Sequence, residues 1–357
     1  MSVGPHPEGE QPGASARARA EAARVRAGAR LRHAIGDLSL PDDARLDDRA
    51  RAAVRSALAG LVAAAEADVR RNAARLLIAR GATLTAERLI GGTPVLDRLA
   101  EAELLHDPKL MAELIVRVEL DLLGDALTPV ASGPESTGSL VRLAGSPDDQ
   151  VAAASAALLG AETRRRDDPV GDGLPAELHH RLLWLVAAAV REQLADDVEV
   201  IDLDRALTEA TLRSLASHDE GDRPEAAAIR LAQAMNADLD ELAPLLLDAV
   251  ADRRLTLLVA LVARASGIKF EQVRELVVDP KGDTFFLVLR AAGVDRTTIA
   301  RIAVAFAEAD PRRDLERTAD AIDRAALLFP DEARTAIADL ALNRDFRAAV
   351  AALKGAR

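Results

Sequence analysis

Two Glu-x-x-His spacings, Glu103/His106 and Glu177/His180, are the pairs whose residue types and separation suit metal chemistry. On a helix, residues three apart share a face. Two such pairs joined by two further glutamates form the ligand set of a di-iron carboxylate bundle. Glu113 and Glu119 would be the added acids. The flanking residues argue against that use. His106 stands directly before Asp107-Pro108, a helix start, and Glu177 falls in the first turn after Pro175. A bundle site needs its ligands at one depth in mid-helix. The expectation is therefore no metal centre and no cofactor, with Glu103, His106, Glu177 and His180 as turn or surface residues.

His180 and Trp184 are four apart and can touch on one helix face. They would serve as a partner anchor, since Trp is enriched in binding hot spots. The plainer expectation makes Trp184 the largest core residue of an aromatic-poor chain. Histidine can sense pH, but nothing around His179-His180 marks a switch. The basic run Arg164-Arg165-Arg166 would bind phosphate or an acidic partner. Its place at a predicted helix C-terminus, with Asp167-Asp168 following, favours a solvated helix end. Lys281-Gly282-Asp283-Thr284 lacks the Gly-rich stretch and strand of a phosphate loop, and reads as a turn after Asp279-Pro280. Asp238, Asp240 and Glu241 lack calcium-loop spacing and read as the acidic first turn of the helix carrying Leu242, Leu245 and Leu246. No Ser–His–Asp order can be argued from spacing. The candidate partner-binding residues are Trp184, His180, Arg164, Arg165 and Arg166.

The elements that must position these residues are helical. Apolar residues make up 49% of the chain and aromatics 2%, so the core must be Leu, Val, Ile and Ala. Such a core suits helix-on-helix packing better than sheets. A net charge of −12 repels phosphate backbones and argues against nucleic acid as a partner. There is no cysteine, which excludes disulfides and thiolate chemistry and mildly favours a cytoplasmic home. The longest apolar runs, near Leu182–Val190 and Leu255–Val262, fall short of the roughly 20 residues a membrane span needs. Residues 1–14 are polar with Pro and Gly, show no signal-peptide core, and read as a disordered tail.

A weakly apolar Ala/Arg helix is expected over 15–35. A longer helix follows Pro41 and runs to Gly81, with the stripe Val54, Leu58, Leu61 and Val62 and a break near Ala65. Pro94 opens a short helix. Asp107-Pro108 opens another, carrying Met111, Leu114, Ile115, Val118 and Leu122 on one face and weakened or ended by Gly124. Residues 131–139 are a loop, and Ser146-Pro147-Asp148-Asp149 restarts the chain. Residues 164–173 have no apolar period and read as a linker. Val198–Leu203 reads as a loop leading into a helix from Asp204, with a short strand as the alternative. Gly267 and Gly293 head matched stripes: Val273, Leu276 and Val277, then Ile299, Ile302, Ala303 and Phe306. A last helix is expected to bury Phe346, Val350 and Leu353. The predicted fold is all-α: stacked antiparallel helical hairpins in a degenerate, HEAT-like α-solenoid. It would have an N-terminal lobe over 15–163, the 164–173 linker and a C-terminal lobe over 174–357.

The stretch from Leu174 through Pro175, His179 and His180 to Trp184, together with Leu289–Arg296, resembles a bacterial all-helical family. That family is known mainly from alphaproteobacteria and catalogued as domain of unknown function 2336. The resemblance implies a HEAT-like helical fold over most of the chain and carries no catalytic residues. The expected function is a non-catalytic, cytoplasmic scaffold or regulatory module that binds another protein through a groove of stacked helices. The alternatives are a helical protein that binds a metal or small ligand, and a HEAT-like nucleic-acid binder.

Overall fold

The computed structural model describes residues 45–128, 138–167, 173–194 and 200–355. Among these residues there are seventeen α-helices and no strand, so the protein is all-α. In chain order they are α1 (Asp48–Ala79), α2 (Thr83–Ile90), α3 (Leu96–Glu101), α4 (Pro108–Ala126), α5 (Ser139–Ala144) and α6 (Asp149–Asp167). Then come α7 (Ala176–Leu194), α8 (Val200–Ser217), α9 (Pro224–Met235), α10 (Leu239–Ala251), α11 (Leu255–Ser266) and α12 (Phe270–Val278). The last are α13 (Asp283–Ala291), α14 (Arg296–Ala309), α15 (Leu315–Ala326), α16 (Pro330–Ala336) and α17 (Arg344–Gly355). The expected tail over 1–14, the helix over 15–35, most of the 131–139 loop and residues 168–172 of the linker lie outside the described residues.

Helix starts follow the Asp signals. Asp107 Oδ1 accepts from Lys109 N (2.7 Å) and Leu110 N (3.1 Å), with Pro108 at the first helical position. Asp295 does the same for α14, accepting from Thr297 N (2.8 Å) and Thr298 N (3.1 Å). Asp238 and Glu241 form a capping box on α10.

Four expectations are corrected. The first long helix runs through Ala65 without a break, because Val62, Ala65 and Val69 are all buried on one face. Helix α4 continues through Gly124, which is itself buried against Leu255. Residues 200–203 are neither strand nor loop but the first turn of α8. Leu203, Ala206, Leu207 and Ala210 form a buried helical stripe there, and that burial overrides the β-branched local sequence. The last helix does not bury its stripe: Phe346 is 57% and Leu353 70% exposed.

Residues Asp48–Arg357 form one compact unit. It contains two apolar cores, and the chain visits each of them twice. The first core draws on α1 to α3, the start of α4, then α7 and α8. The second draws on the end of α4, then α5 and α6, and then α9 to α16. Core membership changes between α6 and α7, from the second core back to the first, and Arg164–Asp167 are the last turn of α6. Helix α4 belongs to both cores. Its predicted stripe of Met111, Leu114, Ile115, Val118 and Leu122 faces the first core, while Leu120 and Leu123 face the second. Helix α1 packs on α2, α4, α7 and α8, and α9 packs between α6 and α11.

Candidate functional site

Because α4 is apolar on two sides, its remaining residues run between the cores. Glu113, Arg117 and Asp121 follow one another at four-residue spacing along that strip. Arg274 of α12 holds Glu113 through both carboxylate oxygens, one at 3.0 Å. Arg223, just before α9, lies 3.8 Å from Glu113 and 3.5 Å from Glu225. Arg165 of α6 reaches Asp121 at 2.5 Å and Glu225 at 3.6 Å. Farther along, Arg312 Nη1 donates to Glu119 (2.8 Å) while its Nε donates to Asp310 (3.0 Å). Buried charges persist only when so paired.

The electrostatics follow from this crowding. Burial, and then Arg165 beside it, bring the Arg117 guanidinium down to about 10, so it stays charged at neutral pH. Burial pushes the Glu225 carboxyl up. Arg223, Arg165 and Arg117 outweigh that and hold it below its usual range. Gly173 completes the setting of Arg117, since a methyl group on it would overlap the Arg117 guanidinium.

Beside this network a cavity of about 900 Å³ opens between α1, α4, α6 and the α10–α11 turn. Small residues of α1 (Ala53, Ser56, Ala57 and Gly60) make the room, and Leu61, Leu114, Val118 and Leu255 add apolar wall. The rim carries Asp121, Asp125, Glu162, Asp252, Arg165, Arg253 and Arg254. Arg254 contacts Glu162 directly, and Asp252 accepts from Ser139 N at 2.5 Å. Arg253 adopts the left-handed conformation (φ 58), which is uncommon for a residue with a β-carbon and marks candidate functional positions. A protonated guanidinium has no lone pair to act as a base. The arrangement suits recognition: an apolar floor with a few convergent charges.

The residues singled out in the sequence are scattered. Arg165 is drawn into the cavity wall with a side chain 18% exposed, so the solvated-end expectation fails for it. Its neighbour Arg164 points outward at 53% and meets the Asp222 carbonyl (3.2 Å) and carboxylate (3.8 Å). The side chain of Arg166 lies outside the described residues. Trp184 is half-buried rather than a core residue, and its Nε1–H donates to His180 Nε2 (3.1 Å). His179 stacks on His218, with ring centroids 4.2 Å apart. Glu103 sits in a turn after α3 at φ 58, and His106 is exposed. Glu177 meets Lys109 at 3.3 Å. Glu113 and Glu119 are held by arginines. Among the described residues no group of three or more His, Asp or Glu is placed to hold a metal ion.

Sequence reasoning missed Arg117, Asp121, Asp125, Arg253 and Arg254. A readable signal existed for the first two: alternating charges at i, i+4, i+8 on a helix already apolar on its neighbouring faces. The Asp252–Arg254 turn has no Gly or Asn to announce its left-handed residue.

The comparisons with known proteins bear on both cores. A family model described as "Uncharacterised protein conserved in bacteria (DUF2336)" matches residues 150–341. The chain belongs to that family. Comparison with curated proteins and with solved structures returns no match. The DUF2336 match spans α6 to α16 and so supplies Glu162, Arg165, Pro224 and the Asp252–Thr256 side of the cavity, while α1 and α4 supply the rest.

Proposed function

We propose that this protein is a non-catalytic binding module, a scaffold or regulator working in the cytoplasm. It takes a segment of another protein into the cavity between α1, α4, α6 and the α10–α11 turn. The observation that carries this reading is the cavity itself: an apolar floor and charged rim, built on helices whose positions are pinned by buried ion pairs. Helix pairs such as α10 with α11 and α14 with α15 support the HEAT-like part of the proposal, in which stacked hairpins present a groove. The net charge of −12 favours protein over nucleic acid as the partner. Among the described residues no helix is long and apolar enough to cross a membrane.

The test is to fill the cavity. Ala57→Phe adds a side chain where there is open volume, so the fold should tolerate it, checked by circular dichroism. Affinity capture from the native host should recover a defined protein with the wild type and lose it with A57F. Recovery of the same protein by both would overturn the assignment of the cavity. A small ligand is the second reading, favoured by the strained Arg253 at the rim. Native mass spectrometry showing one fixed added mass, lost in A57F, would establish it.

A further inference from the structure

We propose that the corner where α7 begins is an acid-opened latch, shut by the stacking of His179 on His218. His106, His179, His180 and His218 are all the histidines among the described residues, and they gather at this corner. His106 precedes Asp107, which pairs with Arg181 of α7. His179 stands in the first turn of α7 and His218 just past the end of α8, with rings nearly parallel (14°) and centroids 4.2 Å apart. His218 Nε2 is buried and has no hydrogen-bond partner among the described residues. Beside the stack, Glu220 accepts from Ala176 N at 2.5 Å, so stack and carboxylate together tie the turn after α8 to the start of α7. Both ends lead straight into the buried ion pairs. Gly173, just ahead of α7, lies against Arg117, and Arg223, just after the turn, meets Glu113 and Glu225. The latch stands independently of what the cavity binds.

Neutral imidazoles can lie face to face as other aromatic rings do. An imidazolium carries N–H on both nitrogens. On His218 it would bury a donor at Nε2 without an acceptor, which separation into water relieves. With both rings charged, two like charges would also stand 4.2 Å apart. The charged groups around the stack are held by other partners. On the turn, Asp219 accepts from Gly221 N (2.7 Å), Glu220 from Ala176 N, and Asp222 lies 3.8 Å from Arg164. On α7, Glu177 pairs with Lys109 and Arg181 with Asp107, both from the start of α4, while His180 accepts from Trp184. On α1, Glu66 pairs with Arg70, and Asp68 accepts from Asn72 and from Ser214, one turn ahead of His218. Helices α2 and α3 also pack on α7, and their Glu87, Arg88, Asp97, Arg98 and Glu101 are exposed, as is Arg213 of α8. The opened corner therefore takes up protons that the stacked one does not. Falling pH through the imidazole range shifts the balance towards opening.

Hydrogen exchange of the full chain, read by mass spectrometry at roughly pH 7 and roughly pH 5 and corrected for the intrinsic effect of pH, tests this. Residues 176–180 and 218–223 should exchange about tenfold faster in acid, the change that one linked proton gives per pH unit. Helices α11 to α13 should keep their protection. His179→Phe and His218→Phe each keep a ring in the stack and remove its charge, and each should hold the corner closed at both pH values. Trp184, the single tryptophan, gives a second readout. In the His180→Gln background, which removes its direct histidine partner, its fluorescence should move on acidification, and adding H218F should abolish the move. Proton NMR of the wild type covers a variant that does not fold: His179 and His218 should titrate as a coupled pair in two steps, unlike His106. Equal protection of the corner at both pH values overturns the proposal, as does an acid loss of protection that H179F and H218F leave unchanged. Single, independent titrations of the two rings overturn it as well.

Discussion

Arg164 and Arg165 are adjacent, chemically identical and energetically unlike. Arg165 bridges Asp121 and the buried Glu225. Removing it leaves a buried carboxylate short of one partner. We expect Arg165→Ala to lower stability by roughly 3–5 kcal/mol, and Arg164→Ala by less than about 1 kcal/mol, both read from urea unfolding midpoints. Acid should act through the carboxylates. The Asp295 carboxyl is held below its ordinary 3.8 first by the Thr298 hydroxyl; burial opposes this, and the backbone amides of Thr298 and Thr297 add to the lowering. As pH falls, the unfolded chain takes up this proton before the folded one does. The stabilisation is therefore complete above the ordinary value and is lost as pH drops through the folded one. Asp295→Ala should cost about 1 kcal/mol at neutral pH. Asp295→Asn should keep the cap and flatten that part of the acid slope, seen in thermal melts across acidic pH. Glu225 adds to the slope with the same sign. At this scale the sequence was half readable. Asp caps are local and showed themselves. Which arginine of a run turns inward depends on helix rotation against a distant partner, and no local pattern carries that.

Elements were more legible, because their stripes and stops are local chemistry. Gly267 and Gly282 both take left-handed backbone (φ +72 and +67). They differ in surroundings: a β-carbon on Gly267 meets nothing within 4 Å, whereas on Gly282 it would lie 2.9 Å from the ring of Phe286, itself fully buried. Gly267→Ala should cost about 1–2 kcal/mol for the conformation alone. Gly282→Ala should cost clearly more, because the ring has nowhere to go; calorimetry on the pair reads the difference. Elements were misjudged where burial outside the local window decided the outcome. Leu203 drew the start of α8 back to Val200. The stripe of α17 predicted burial that the second core does not provide, since an amphipathic pattern states a need for cover without saying what supplies it.

The whole molecule was the least legible scale. Repeated hairpins suggested consecutive lobes, but the chain shares its two cores between early and late segments. The family match over 150–341 includes α7 and α8, whose Leu182, Leu183, Val186, Leu203 and Leu207 pack in the first core with α1. A fragment limited to 150–341 should therefore bind the dye ANS and melt without a cooperative transition, while a chain from residue 45 onward should melt cooperatively. A sharp calorimetric peak from the fragment would refute this. The same double visit governs biogenesis. On the ribosome, the first core has to wait until Ala210 has been translated. By then α5 and α6 are out of the exit tunnel with their own greasy sides bare, awaiting α9 and α11. The nascent chain thus holds two unfinished halves at once, a window in which a chaperone would have the most to protect.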